Sequence, residues 1–156
     1  SLRRRQRQMC IRDSNKSVTI FTEEFFDVPA VADAEALLAK WETIRAVRTD
    51  VQKQIETLRE AGQVGSSLQA EIDITASGEA YAALASLGNE LRFVMITSRA
   101  DLHEGDFAVQ VHQSAAQKCV RCWHYVDSVG HNAEHPGLCA RCTENLFGTG
   151  ETRRFA

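Results

Sequence analysis

Five of the 156 residues are cysteines, and four of them form two pairs, Cys119 with Cys122 and Cys139 with Cys142, each pair separated by two residues. Two residues between thiolates allow a tight turn that aims both sulfurs at one ion. Two such turns complete a tetrahedron with Zn–S bonds of about 2.3 Å. The expected chemistry is therefore one zinc ion held by Cys119, Cys122, Cys139 and Cys142. With all four positions filled by protein there is no place for a reactive water, so the ion's expected work is structural. A mononuclear iron site has the same ligands and the same spacing; metal availability and the lack of a redox partner motif favour zinc. A redox CxxC needs one pair on a βαβ scaffold, whereas this chain has two pairs on none. His124, His131 and His135 are not needed as ligands and are expected on the surface or in turns.

A zinc ion on four thiolates has a formal charge of −2, which calls for backbone N–H groups and cations around the sulfurs. Lys118, Arg121 and Arg141 sit beside or within the two turns, CVRC and CARC. They can support the cluster electrostatically, or, with Arg153 and Arg154, contact phosphates. Trp123 and Tyr125 can stack on unpaired bases or supply packing that so small a module lacks. Further upstream, Arg45, Arg48, Gln52 and Arg59 are spaced to lie along one side of a helix, as a phosphate track would require. Glu42, Asp50 and Glu56 lie among them, so a solvated helix face is the competing interpretation.

The elements that must position these residues follow from periodicity. From Asp33, apolar residues recur at Ala34, Leu37, Leu38, Trp41, Ile44, Val47, Val51, Ile55 and Leu58, the helical period, and Gly62 and Gly65 end the run. About 30 residues make a rod of roughly 45 Å, too long for one small core, so further contacts are expected outside this stretch. Ala70, Ile72, Ile74 and Ala76 then alternate with polar residues as in a half-buried strand. Residues 79–87 predict a short helix that Ser77 can cap and Gly88 closes. The compact apolar run Phe93–Ile96 and the alternating Phe107, Val109 and Val111 complete a small α/β unit of two or three strands and one helix. Ser17–Val28 has a weaker strand-like pattern. The expected class is α+β: a long helix, a small α/β junction and a C-terminal four-cysteine zinc ribbon. The expected boundaries are 1–16, 17–66, 67–114 and 115–156.

Charge divides the chain unevenly. Residues 1–16 hold six Arg and Lys against one acid, and residues 17–156 hold 12 against 20. The basic tail has no apolar period and is assigned to a non-native or disordered segment, so neither its arginines nor Cys10 is given a role; a nucleic-acid arm is the alternative. No apolar run approaches the roughly 20 residues of a membrane span, and no signal segment stands at the N-terminus. A reducing cytoplasm is the expected compartment.

The segments KCVRCWHY, VGHNAEHPGLCARC and GETRRFA resemble the C-terminal zinc finger of bacterial isoleucyl-tRNA synthetases. The likeness continues upstream through WETIRAVRTDVQKQIETLREAGQVGSSLQAEI and LGNELRFVMITSRA, and so covers residues 17–156. It implies the end of a helical anticodon-binding domain, a small junction and a terminal zinc module. Together these would help hold the anticodon arm of tRNA(Ile), with the upstream domains of the synthetase as the other partner. The low-specificity candidates for RNA contact are Arg45, Arg48, Arg121, Trp123, Arg141, Arg153 and Arg154. Formamidopyrimidine-type DNA glycosylases end in the same kind of finger, but their N-terminal proline–glutamate pair is not found here. A free-standing zinc ribbon that binds a protein is a third reading. Neither HxGH nor KMSxS, the family's ATP-binding signatures, occurs in the 156 residues. No catalytic residue is carried over, and the chain alone is expected to give no isoleucine-dependent pyrophosphate exchange; a rate above background would contradict this.

Overall fold

A computed structural model describes residues 29–155. The basic tail with Cys10 and the strand-like Ser17–Val28 lie outside the described residues. Residues 35–156 cluster into one compact unit. Helix α1 spans Ala34–Glu60, with acidic Glu35 in its first turn and basic Arg59 in its last, each favourable to the helix dipole. It ends on a left-handed Gly62 (φ 71°). There the N–H groups of Gly62 and Gln63 reach back to the carbonyls of Arg59 and Leu58, both at 2.9 Å. Ile44, Val47, Val51 and Ile55 of its apolar stripe are buried, while Leu37 and Leu38 are 44% and 65% exposed.

The stripe of α1 packs with a three-stranded sheet whose central strand is β1 (Ala70–Ala76). β1 pairs in parallel with β2 (Arg99–Glu104) and antiparallel with β3 (Ala108–Gln113). A parallel neighbour needs a crossover, supplied by α2 (Gly78–Ala85), a 3-10 turn at Gly88–Glu90 and α3 (Leu91–Met95). The pleat directs Ala70, Ile72, Ile74 and Ala76 into the core with Leu84, Leu87, Leu91 and Met95. Each fully buried Ile or Leu here contributes about 1.5–3 kcal/mol relative to exposure.

The opposite face of the sheet is polar, and its one nearly buried carboxylate is fully engaged. Glu71 accepts from Arg99 Nη1 at 2.9 Å and from Ser114 Oγ at 2.5 Å, and His112 Nε2 stands 3.4 Å away. A carboxylate at 9% exposure requires such partners. Among the described residues, no helix is long and apolar enough to cross a membrane.

The long helix, the Ala70–Ala76 strand, the short helix after it and the strand containing Val109 and Val111 form as the residue pattern predicts. The run Phe93–Ile96 does not extend as a strand. Phe93, Val94 and Met95 belong to α3, and Leu91 and Met95 are its buried residues. The strand beside β1 is instead Arg99–Glu104, whose inward residues are only Ala100 and Leu102. Ser77 precedes α2 without a capping side-chain bond.

Helix α3 stops because Ile96 turns left-handed (φ 61°), with Thr97 N–H bonded to Arg92 O at 2.9 Å. A β-branched residue is strained there, where Gly or Asn is the ordinary choice. Since Ile96 is partly exposed, Ile96→Asn should stabilise the chain by about 1 kcal/mol, seen as a higher urea midpoint at unchanged slope.

Candidate metal centre

The first cysteine turn is built by backbone hydrogen bonds. Cys119 N–H donates to His124 O at 2.9 Å and Trp123 N–H to Cys119 O at 3.0 Å, with a bridge between Lys118 and Tyr125 closing the hairpin. Trp123 takes a left-handed conformation (φ 67°) that reverses the chain after Cys122. In the second turn Cys139 caps helix α4 (Ala140–Phe147) and Cys142 lies in that helix's first turn. Val120 N–H donates to Gly137 O at 3.0 Å and ties the two turns together. Cys119, Cys139 and Cys142 are buried, with Val129 beside them.

The result is a common focus for four sulfurs. All four Sγ atoms lie within 4.8 Å of one another, and Cys122 Sγ is 3.7 Å from Cys139 Sγ. A tetrahedral ion with bonds of about 2.3 Å would place its sulfurs about 3.8 Å apart, so the pocket fits one such ion. Burial raises the Cys119 thiol, but N–H groups of Cys122, Cys139 and Arg121 outweigh it and bring the group down to about 6. At Cys139 burial wins, the neighbouring Cys122 charge adds to it, and the thiol is pushed up to about 12. Cys142 is raised as well, chiefly by burial. The donor set therefore takes its first negative charge readily and resists the next, and a divalent cation at the focus would relieve that resistance.

The candidate cations divide by their partners. Arg121 Nη1 points at Cys142 Sγ from 3.8 Å, and Arg141 lines the same cleft as Cys122 while pairing with Glu151 at 2.9 Å. Arg153 pairs with the same Glu151 oxygen at 2.8 Å. Trp123 is 59% exposed, with Lys118 Nζ 5.4 Å from its ring centre, so it projects from the module rather than packing inside it. Tyr125 is half-buried. Arg154 is exposed; its backbone N–H, like that of Phe155, binds the Glu90 carboxylate at 2.6 Å. On α1, Arg45 is exposed, Arg59 pairs with Glu56 at 2.7 Å, and Arg48 is half-buried with no hydrogen-bond partner at Nε.

Sequence reading passed over Phe93. Its ring receives the guanidiniums of Arg153, Arg92 and Arg141 at 4.1, 4.8 and 5.0 Å, and the His124 ring meets it edge-on at 5.6 Å. Only the Arg–Phe dipeptide hinted at this, and three of the four partners are distant in sequence.

Residues 116–145 match a family described as the zinc finger found in FPG and IleRS. The isoleucine–tRNA ligase of Janthinobacterium sp. (strain Marseille) is 54% identical over 148 residues, which is 92% of this chain and 15% of the relative. That of Laribacter hongkongensis (strain HLHK9) is 56% identical over 131 residues, 83% of this chain and 14% of the relative. Isoleucine–tRNA ligase 1 of Burkholderia mallei (strain ATCC 23344) is 52% identical over 145 residues, 90% of this chain and 15% of the relative. The chain matches a C-terminal part of bacterial isoleucine–tRNA ligase. It spans about 15% of the length of the ligases it matches. The four-cysteine focus and the finger match together indicate a zinc site.

Because the buried cluster of the module is three cysteines and one valine, the ion's binding energy should also be its folding energy. Cys139→Ser should lose the metal and unfold residues 115–150 while leaving α1 and the sheet. Amide exchange reads this directly. Wild-type protein retaining less than about 0.2 equivalents of zinc after reconstitution under reducing conditions would contradict the metal reading.

Proposed function

We propose that this chain is the C-terminal tRNA-binding part of an isoleucine–tRNA ligase. In this reading it helps hold the anticodon arm of tRNA(Ile) while upstream domains attach isoleucine at the expense of ATP in the cytoplasm. The observation that carries the proposal is 54% identity to such a ligase across 92% of the chain. One zinc ion, bound by Cys119, Cys122, Cys139 and Cys142, supplies structure and no bond-making chemistry. Residues 17–66 close the helical anticodon-binding domain, 67–114 form the junction and 115–156 the zinc module.

Within this reading the residues divide by what they are free to do. Trp123 is exposed beside Lys118, an aromatic face and a cation suited to an unpaired base and its phosphate. Arg154 and Arg45 have exposed side chains and serve as phosphate contacts. Arg121, Arg141 and Arg153 are drawn toward sulfur or Glu151, so their contribution to RNA is smaller. Arg48, half-buried on α1, orients rather than reaches out.

An anticodon stem-loop should bind weakly and in preference to duplex DNA of equal length. With two to four phosphates engaged, log affinity should fall with log salt at a slope of roughly −1.5 to −3. Arg154→Ala should flatten that slope by about 0.7–0.9. Trp123→Ala should cost about 1–3 kcal/mol of affinity with the slope unchanged, since stacking releases no counterion. A slope near zero or equal affinity for duplex DNA would refute the proposal.

A further inference from the structure

The cysteine module meets the α/β unit through a small number of specific contacts. Tyr125 N–H donates to Ser98 Oγ at 2.7 Å, and the Ser98 hydroxyl in turn donates to Leu68 O. Glu90 accepts the backbone N–H groups of Arg154 and Phe155, and a further group of contacts centres on Phe93 of α3. Arg92 comes from α3 itself, Arg141 from α4, and Arg153 from the segment after α4, and all three guanidiniums face one ring.

Gathering three guanidiniums around one phenyl ring is unfavourable unless something opposes their mutual repulsion. Cation–π attraction to the ring face offsets part of that repulsion. Glu151 supplies one negative charge, shared between Arg141 and Arg153. Arg92 shows the strain: burial lowers it from the ordinary guanidinium range, Arg141 lowers it further, and Glu151 and Cys139 pull it back. Its Nε is buried and has no hydrogen-bond partner.

Arg92 and Arg141 line a cleft whose wall also includes Cys122 and Cys139. The same cleft is bordered by His124, Ser128 and exposed Asp127. A divalent ion on four thiolates carries two negative charges, opposite in sign to the Arg92 and Arg141 guanidiniums that line the same cleft. Those charges would face Arg92 and Arg141 across one partly buried cleft, where the interaction is screened less than at the surface.

We propose that Arg92 and Arg141 are counter-charges of the metal-loaded four-cysteine centre, so that loading the ion and seating the module on α3 are one linked equilibrium. Arg92 is the informative member, since it belongs to α3 of the α/β unit and not to the cysteine module. It is a positioning residue acting across the interface. Charge on the loaded centre holds the Arg92 guanidinium at the interface and, through it, the seat of the module on α3. This inference rests on the zinc reading proposed above.

The test compares the full chain with its Arg92→Gln, Arg92→Lys and Lys53→Gln variants. Zinc affinity is measured by chelator competition at fixed pH, and amide exchange at Tyr125 is followed with and without zinc. Arg92→Gln should weaken zinc about tenfold, the low end of what losing an outer partner of a metal ligand costs. Arg92→Lys, which keeps the charge, should stay within about threefold of wild type. Lys53→Gln removes an exposed cation on α1 and should leave zinc affinity unchanged. Zinc should slow exchange at Tyr125 in the wild type, and less so in Arg92→Gln.

Equal affinity in Arg92→Gln and Lys53→Gln would overturn the inference while leaving the metal reading intact. So would an equal loss in Arg92→Gln and Arg92→Lys, the signature of a packing role. Binding of inorganic phosphate to the zinc-loaded chain, lost in Arg92→Gln with zinc affinity unchanged, would reassign the arginines to an anion and also overturn it. A wild-type chain that takes no zinc would remove both readings together.

Discussion

Four sulfurs held within 4.8 Å of one another are the constraint on which the C-terminal third depends. Hydrophobic burial cannot do that work here, because the module's buried cluster is three cysteines and a valine. The two knuckles are shaped by backbone hydrogen bonds, a left-handed Trp123 and the first turn of α4, and each of these serves to aim a sulfur. A thiol lowered to about 6 beside one raised to about 12 shows why the arrangement suits a cation: four like groups at one point cannot all be charged without one.

The α/β unit solves a different problem by different means. Its stability comes from the apolar stripe of α1 and the inward residues of β1, with Glu71 tied down on the polar face. The two parts then meet at Phe93, where an aromatic face tolerates cations that would otherwise repel. Glu90 adds a second tether by accepting the backbone N–H groups of Arg154 and Phe155. The interface is thus built from hydrogen bonds and cation–π contacts, in contrast to the apolar core beside it.

What could be read from the residues follows from how local the signal is. A CxxC pair is local and its spacing encodes geometry, so the four cysteines were legible at once. The α1 stripe and the Ala70–Ala76 alternation were legible for the same reason. Phe93–Ile96 was not, because FVMI favours a strand by propensity and becomes helical only when Leu91 and Met95 find the core. β2 hid behind its composition: an edge strand with Ala100 and Leu102 as its inward pair gives little periodic signal. The arginine cluster could not be read at all, since Arg92, Arg141 and Arg153 become neighbours only through the fold. Trp123 illustrates the reverse case, a residue visible in sequence whose exposure only the turn geometry decides.

Helix α1 has a consequence for how such a chain can change over time. Its buried stripe, Ile44 to Ile55, fixes the rotation of the whole rod, while Leu37 and Leu38 ride on an exposed extension of the same helix. Each residue inserted between Leu38 and Ile44 would rotate that extension by about 100° and advance it by about 1.5 Å. A single-residue insertion would therefore carry the apolar pair to a different side, whereas seven would return it almost to its starting bearing. Length variation in this stretch is phase-restricted, and one-residue insertions and deletions belong in the turns instead.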